Sequence, residues 1–367
     1  MNSTSVQKKI FKEKFSQAIE LIDKPLVIFN LNGQNKNYKM FTQIDDHSAP
    51  SVFVILPDKQ THIIVSSIER ALPESLKENV KIHAYSSSSG LLSKLNEIIS
   101  PGSEIYVEVS SKYSILDTLT YGFYQKLKKN YNLKSAENIL WELRTIKTKE
   151  EINLIKKAVS ITREILCHIE SDIRAGIKES EIMDKLNILV CKNKLEFSFK
   201  PIIASGKRAS DPHPIRFTNK KLIKDELLII DLGVFYCNYT SDLTRTYKVN
   251  GNIRDERYYD INKEMVEKLI SLNICEITPY ELALIMDDVA KKHKVLNLQK
   301  HGYGHGIGLD IHDVYPSISK RPKKDTSQIP KFSDNMVFAF EPGFYSSKKS
   351  FRIENNYIIK NGYVLEL

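Results

Sequence analysis

At 367 residues the chain is longer than one hydrophobic core usually serves, so two domains are expected. An apolar share of 41% beside 27% charged residues is that of a folded globular protein and excludes a disordered chain. The net charge of +9 comes from lysines intermixed with Asp and Glu along the whole length, which argues against a nucleic-acid partner, and no apolar run approaches a membrane span.

The first 25 residues carry Lys8, Lys9, Lys12, Glu13 and Lys14 and hold no apolar stretch of the kind a signal peptide needs, so a cytoplasmic protein is expected. Apolar residues at helical spacing (Ile10, Phe11, Phe15, Ala18, Ile19, Ile22) predict a helix over 7–22, followed by a buried strand over 26–29. Further strands are expected at 51–56, 62–66 and 104–109, with helices at 91–99 and 113–130, which makes the first part of the chain an α/β unit. His47, His62 and His83 stand alone there, and no chemical constellation accompanies them.

The pattern changes at 141–152. Thr148 followed by Glu151 has the spacing of a capping box, and Ile152, Ile155, Ala158, Val159, Ile165 and Leu166 continue as one face of a long helix. A second helix at 178–194 leads into strands at 200–205, 226–232, 234–238 and 243–249; helices at 255–274 and 278–294 follow, and strands at 336–341 and 351–360 close the chain around Pro342-Gly343. The four cysteines (167, 191, 237 and 275) are far apart with no CxxC pair, and buried free thiols are expected.

Residues 301–313 hold three of the nine histidines (His301, His305 and His312), with glycine at 302, 304, 306 and 308. Each glycine costs a helix roughly 1 kcal/mol relative to alanine, so an extended or looped segment is expected, its backbone passing close to a ligand or another segment. Taken alone, the stretch also reads as a glycine-rich turn with incidental histidines. Asp231 ends the apolar run Leu228-Ile229-Ile230, and Asp242 lies in a second β-rich segment; each by itself is also compatible with a turn residue or an arginine partner. Strand alternation places Val337, Ala339 and Glu341 on one face, and Arg352 with Glu354 on one face of the last segment. Buried charges must be paired or bind metal. Four carboxylates and one imidazole form a hard donor set that suits two divalent ions, which can activate a shared water for hydrolysis.

In this order, Ile230-Asp231-Leu232-Gly233, Ser241-Asp242-Leu243-Thr244-Arg245-Thr246, Gly304-His305-Gly306-Ile307-Gly308-Leu309-Asp310-Ile311-His312-Asp313, Glu341-Pro342-Gly343-Phe344-Tyr345 and Arg352-Ile353-Glu354-Asn355 closely resemble the metallopeptidase family of aminopeptidase P and prolidase. The resemblance covers the second domain and the linker at 141–152; the first domain matches in size and character. It implies an α/β (α+β) protein, with a creatinase-like N-terminal α/β domain over 1–138 and a pita-bread catalytic domain over 139–367. It also implies two divalent ions per subunit, manganese first, with cobalt, zinc or iron as alternatives, and a homodimer or larger assembly.

Carried over residue by residue, the resemblance makes Asp242 and Glu354 shared metal ligands, gives Asp231 to one ion, and gives His305 and Glu341 to the other. Glu341 is also the expected proton shuttle, while His213, His301 and His312 are expected to hold the peptide and stabilise the developing oxyanion. Arg352 is expected to orient the carboxylates or meet the substrate. Prolidases that resemble this chain carry an arginine shortly after the histidine matching His312. Here the run is His312-Asp313-Val314-Tyr315-Pro316-Ser317-Ile318-Ser319, with Arg321 just beyond it. The expected activity is therefore Xaa-Pro aminopeptidase action on peptides with proline second, with Xaa-Pro dipeptidase as the alternative and a non-catalytic binding protein as a third reading.

Overall fold

The computed structural model describes residues 3–44, 48–69, 72–87, 89–214, 217–320 and 326–367, so His47 and Arg321 lie outside the described residues. The chain divides into two compact units, Met1–Arg144 and Thr145–Leu367.

The first unit is built on a six-stranded mixed sheet. Its order is Lys81–Tyr85, Thr61–Ser66, Ser51–Ile55, Leu26–Asn30, Glu104–Val107 and Asn132–Ser135. The strands at 26–30, 51–55 and 61–66 are buried along their whole length, as sheets covered on both faces require, which is why each contains an unbroken apolar run, at 26–29, 52–55 and 63–65. Val27, Phe29, Val52, Val54, Leu91 and Leu95 share one core cluster. The two edge strands, Lys81–Tyr85 and Asn132–Ser135, give no clear strand signal in the sequence. Asn132-Leu133-Lys134-Ser135 is mostly exposed, and a polar edge strand leaves no apolar signature. In place of one helix over 113–130 the chain makes a short turn at Ser114–Leu116 and a helix at Tyr121–Leu127. His62 and His83, isolated in sequence, meet across neighbouring parallel strands with Nδ1 and Nε2 3.0 Å apart.

The second unit opens with the helix Lys149–Glu170. Thr148 accepts from the Glu151 N–H while the Glu151 carboxylate accepts from the Thr148 N–H, the reciprocal cap that the spacing predicts. This helix buries Ile152, Ile155, Ala158, Val159, Ile165 and Leu166 as one face. The helices Glu179–Lys192, Arg257–Ser271 and Pro279–Lys292 follow.

Among the described residues four sheets carry the rest, the smallest pairing Phe235–Tyr236 with Tyr239–Thr240. Leu243–Lys248, Leu227–Leu232 and Ile202–Ser205 form an antiparallel set, and Gly343–Tyr345 pairs with Ser350–Arg352. A five-stranded antiparallel sheet runs Ser317–Ile318, Gly304–Gly306, Val337–Phe340, Asn355–Lys360 and Tyr363–Glu366. The segment 351–360 is thus two strands in two sheets, broken at Ile353-Glu354. The strand 234–238 shrinks to Phe235–Tyr236.

Cys167, Cys191 and Cys237 are exposed and Cys275 is half-buried, which corrects the expectation of buried thiols. Cys167 and Cys191 lie on the solvent faces of amphipathic helices, where burial would need a neighbouring element. Among the described residues no helix is long and apolar enough to cross a membrane.

Candidate metal centre

The sheets of the second unit bring the predicted carboxylates together. Asp231 lies near the end of Leu227–Leu232, directly opposite Thr244 on the neighbouring strand. Asp242 precedes that neighbour, and Asn356 clamps its backbone: the Asp242 N–H donates to Asn356 Oδ1 at 3.0 Å and Asn356 Nδ2 donates to the Asp242 carbonyl at 2.7 Å. His305 is the middle residue of Gly304–Gly306 and sits opposite Ala339. Glu341 follows the last residue of Val337–Phe340, its N–H donating to the Tyr303 carbonyl at 2.8 Å. Glu354 occupies the break between Ser350–Arg352 and Asn355–Lys360, where its N–H reaches the Thr244 carbonyl at 3.1 Å. That break turns the carboxylate of Glu354 toward Asp242.

The glycines of 302–308 explain how His305 gets there. A Cβ on Gly304 would stand 2.1 Å from the Ala339 carbonyl oxygen, and one on Gly306 would stand 2.1 Å from that of Tyr315. Only glycine lets this segment pack so closely against its neighbours.

Asp242, His305 and Glu354 each present a ligand atom within 4.8 Å of the others. His305 Nε2 lies 3.5 Å from Asp242 Oδ2 and 3.8 Å from Glu341 Oε1. Two of the carboxylates are held by one oxygen only. Arg352 Nη2 donates to Asp231 Oδ2 at 2.5 Å, and Thr244 Oγ1 donates to Glu354 Oε2 at 2.7 Å. Asp231 Oδ1 and Glu354 Oε1 are buried without a hydrogen-bond partner. A buried acceptor left unpaired is costly, and a cation between these oxygens removes the cost.

Titration behaviour points the same way. Burial, followed by the nearby charges of Glu354, Asp231 and Glu341, holds the Asp242 carboxyl well above the usual range. Glu354 is raised by burial and then by Glu341 and Asp231. Burial raises Asp231 against the opposing pull of Arg352, and burial pushes Glu341 up to about 8. Four carboxyls gathered with a single buried arginine repel ionisation until positive charge is supplied. The donor set of carboxylate oxygens and one imidazole therefore fits divalent ions.

The histidines differ in what they can offer. His305 Nδ1 faces the Ile311 carbonyl at 2.9 Å, and since a carbonyl only accepts, Nδ1 carries the proton and the Nε2 lone pair faces Asp242 and Glu341. Burial first, and then His312, holds His305 down at about 3, so it stays neutral, as a ligand must. His301 Nδ1 donates to the Gly302 carbonyl at 2.7 Å, and Nε2 accepts from the Tyr345 hydroxyl at 2.7 Å. Both ring nitrogens of His301 are thereby engaged, and it has no free N–H for a substrate unless one of these bonds breaks. His312 is exposed and stacks on His305 with ring centroids 4.0 Å apart. His213 is exposed in the loop after Gly206–Ser210.

His213, His301 and His312 line one cleft of about 810 Å³ together with Asp231, Asp242, His305, Glu341 and Glu354. Arg352 does not line it. It is buried behind Asp231, donating also to Tyr345 Oη at 2.9 Å, to Thr244 Oγ1 at 3.1 Å and to the Pro212 carbonyl at 3.3 Å. Orienting carboxylates, one of its two expected tasks, matches this position; meeting the substrate does not. Tyr345, Thr244 and Asn356 hold the site and were assigned no role from sequence. Tyr345 lies within the Glu341-Pro342-Gly343-Phe344-Tyr345 motif and Thr244 within Ser241-Asp242-Leu243-Thr244-Arg245-Thr246, which is the available signal, whereas Asn356 is marked only by strand pairing.

Residues 153–361 match metallopeptidase family M24. The chain belongs to this family. As an M24 member it is a metallopeptidase, a hydrolase for which the family implies divalent metal ions. It is 28% identical over 360 residues to the Xaa-Pro dipeptidase of Pyrococcus horikoshii, covering 96% of each chain. It is 32% identical over 268 residues to the Xaa-Pro dipeptidase of Pyrococcus furiosus, covering 71% of this chain and 75% of the relative. The crystal structure of the prolidase from Pyrococcus horikoshii OT3 superimposes with a TM-score of 0.78 at 26% identity, covering 96% of this chain and 97% of that one. The M24 chain thus has the expected α/β architecture, an N-terminal creatinase-like domain followed by a pita-bread domain.

Proposed function

We propose that this metallopeptidase cleaves the bond between an amino-terminal residue and proline, and that dipeptides are its main substrates. The observation that carries the reading is the convergence of Asp231, Asp242, His305, Glu341 and Glu354, with unpaired oxygens on two of the carboxylates, in a cleft large enough for a short peptide. The dipeptide preference draws on the two Pyrococcus relatives, both named as Xaa-Pro dipeptidases. It replaces the leaning toward aminopeptidase action that the sequence invited.

Asp242 and Glu354 would be shared by two ions, with Asp231 on one and His305 and Glu341 on the other, and manganese is the first choice for so oxygen-rich a set. When bound, the ions polarise a water and the scissile carbonyl. Glu341 accepts the proton released by the attacking water and delivers it to the departing proline nitrogen. His213 and His312, exposed along the cleft, hold the peptide and stabilise charge on its carbonyl oxygen. His301 supports Tyr345, and Arg352 holds Asp231 in place.

A second reading, aminopeptidase action on longer peptides, draws on the stretch 312–319, which holds no arginine to receive a dipeptide's terminal carboxylate. Metal-reconstituted protein assayed on Xaa-Pro dipeptides and on tri- to pentapeptides with proline second separates the two. Faster hydrolysis of dipeptides is expected. Release of the first residue from the longer peptides alone favours the second reading, and inertness toward both sets refutes the Xaa-Pro assignment.

A further inference from the structure

Among the described residues lining the cleft, the lysines are Lys300 and Lys320, and no arginine lines it. Lys320 is neutralised by an ion pair with Asp287, a buried residue of the helix Pro279–Lys292. Lys300 is held differently. Its Nζ donates to the Ser210 carbonyl at 2.7 Å, and among the described residues no carboxylate pairs with it. An ammonium has three N–H donors, so one bond to a neutral carbonyl leaves two donors and the full charge for a ligand.

Lys300 lines the same cleft as Asp231, Asp242, His305, Glu341 and Glu354, so one ligand in that cleft can meet both the lysine and these groups. The next residue in the chain is His301, whose Nδ1 lies 3.7 Å from Glu341 Oε2. Ser210 ends the short helical turn Gly206–Ser210, three residues before His213, so the Lys300 bond joins the segments that carry His301 and His213, both of which line the cleft. The four carboxylates would be balanced by two divalent ions, leaving the Arg352 charge buried behind Asp231. Among the described residues lining the cleft, Lys300 is then the cation without a carboxylate partner that an anionic group on a bound peptide can meet.

We propose that Lys300 receives the terminal carboxylate of the dipeptide and so selects dipeptides over amidated or longer chains. The proposal rests on the Xaa-Pro dipeptidase reading given above. It makes Lys300 a specificity residue that acts on binding, distinct from the groups that handle the reacting bond.

The test compares kcat/KM for an Xaa-Pro dipeptide and for the same dipeptide amidated at its C-terminus, in metal-loaded wild type, Lys300→Met and Lys300→Arg. The dipeptide-to-amide ratio is expected to fall by about 10- to 100-fold in Lys300→Met, mainly through KM, and to recover in Lys300→Arg. An unchanged ratio overturns the proposal, including the case in which both substrates lose equally because the bond to Ser210 only braces the loop. It is likewise overturned if the ratio collapses in Arg321→Met and persists in Lys300→Met. Wild-type protein inert toward both substrates brings down the Xaa-Pro reading and this inference with it. An active wild type with an unchanged Lys300→Met ratio brings down the inference alone.

Discussion

Stripping metal from the site should make the protein lose stability as pH rises, in a window that the structure defines. In the metal-free fold Glu341 is pushed up to about 8 by burial, against an ordinary carboxyl near 4.5, so the folded state binds its proton more tightly than the unfolded chain does. Its stabilising contribution is complete at low pH and is lost progressively as pH climbs from 4.5 to 8. His301 and His305, held at about 4 and about 3, act in the opposite sense, because their neutral folded forms lose stability only as pH falls below 6.5. Between pH 6.5 and 8 the histidines are neutral in both states and the carboxyl effect stands alone. Over those 1.5 units Glu341 by itself accounts for on the order of 2 kcal/mol, with Asp242 and Glu354 adding in the same direction. For a unit of this size that corresponds to a fall in Tm of roughly 4–8 °C. The assay is thermal unfolding of chelator-treated protein from pH 6.5 to 8, repeated with manganese and with Glu341→Gln. Manganese should flatten the profile by keeping the carboxylates ionised and paired, and Glu341→Gln should reduce the metal-free slope. A metal-free Tm that stays level or rises over this window refutes the reasoning, as does a slope that manganese leaves intact.

Glu341→Ala should cut metal-dependent hydrolysis by about 10²–10⁴-fold while circular dichroism still reports the wild-type fold; wild-type turnover at saturating metal would show that another group moves the proton. Tyr345→Phe removes the hydroxyl that accepts from Arg352 and donates to His301, and should cost about 1–3 kcal/mol in urea unfolding and weaken metal binding in a calorimetric titration. Unaltered stability and affinity together would mean that the hydroxyl holds nothing in place. Gly304→Ala would set a Cβ 2.1 Å from the Ala339 carbonyl, so strand pairing at His305 should fail and metal affinity should drop even where soluble protein is recovered; full metal uptake would contradict the packing argument.

Local signals were legible where one residue type or one period carried the information. The capping box at Thr148 and Glu151 and the apolar face of Lys149–Glu170 depend on contacts three or four residues apart, and both were readable before any tertiary structure. The buried strands of the first unit were equally plain, because a strand covered on both faces is apolar at successive positions and not only at alternate ones, as in 26–29 and 52–55. The polar edge strand Asn132–Ser135 was not, because its pairing is specified by its neighbour and not by its own residues. His62 and His83 looked isolated for a similar reason: 21 positions separate two side chains that strand register places together.

For the site, the sequence by itself determined the donor types, since carboxylates within apolar strands and a histidine among glycines are anomalies that cations resolve. Their order along the chain was enough to indicate the family. Only the tertiary structure decided how those donors are presented. Strand register placed Thr244 opposite Asp231, and the break at Ile353-Glu354 turned Glu354 toward Asp242. The carbonyls of Ile311 and Gly302 chose which ring nitrogen of His305 and of His301 carries the proton, leaving one histidine a lone pair for metal and the other fully engaged. Residue identity defines what a group can donate or accept. Which of those capacities remains open depends on hydrogen-bond partners that are distant in the chain, and those partners exist only once the sheets have paired.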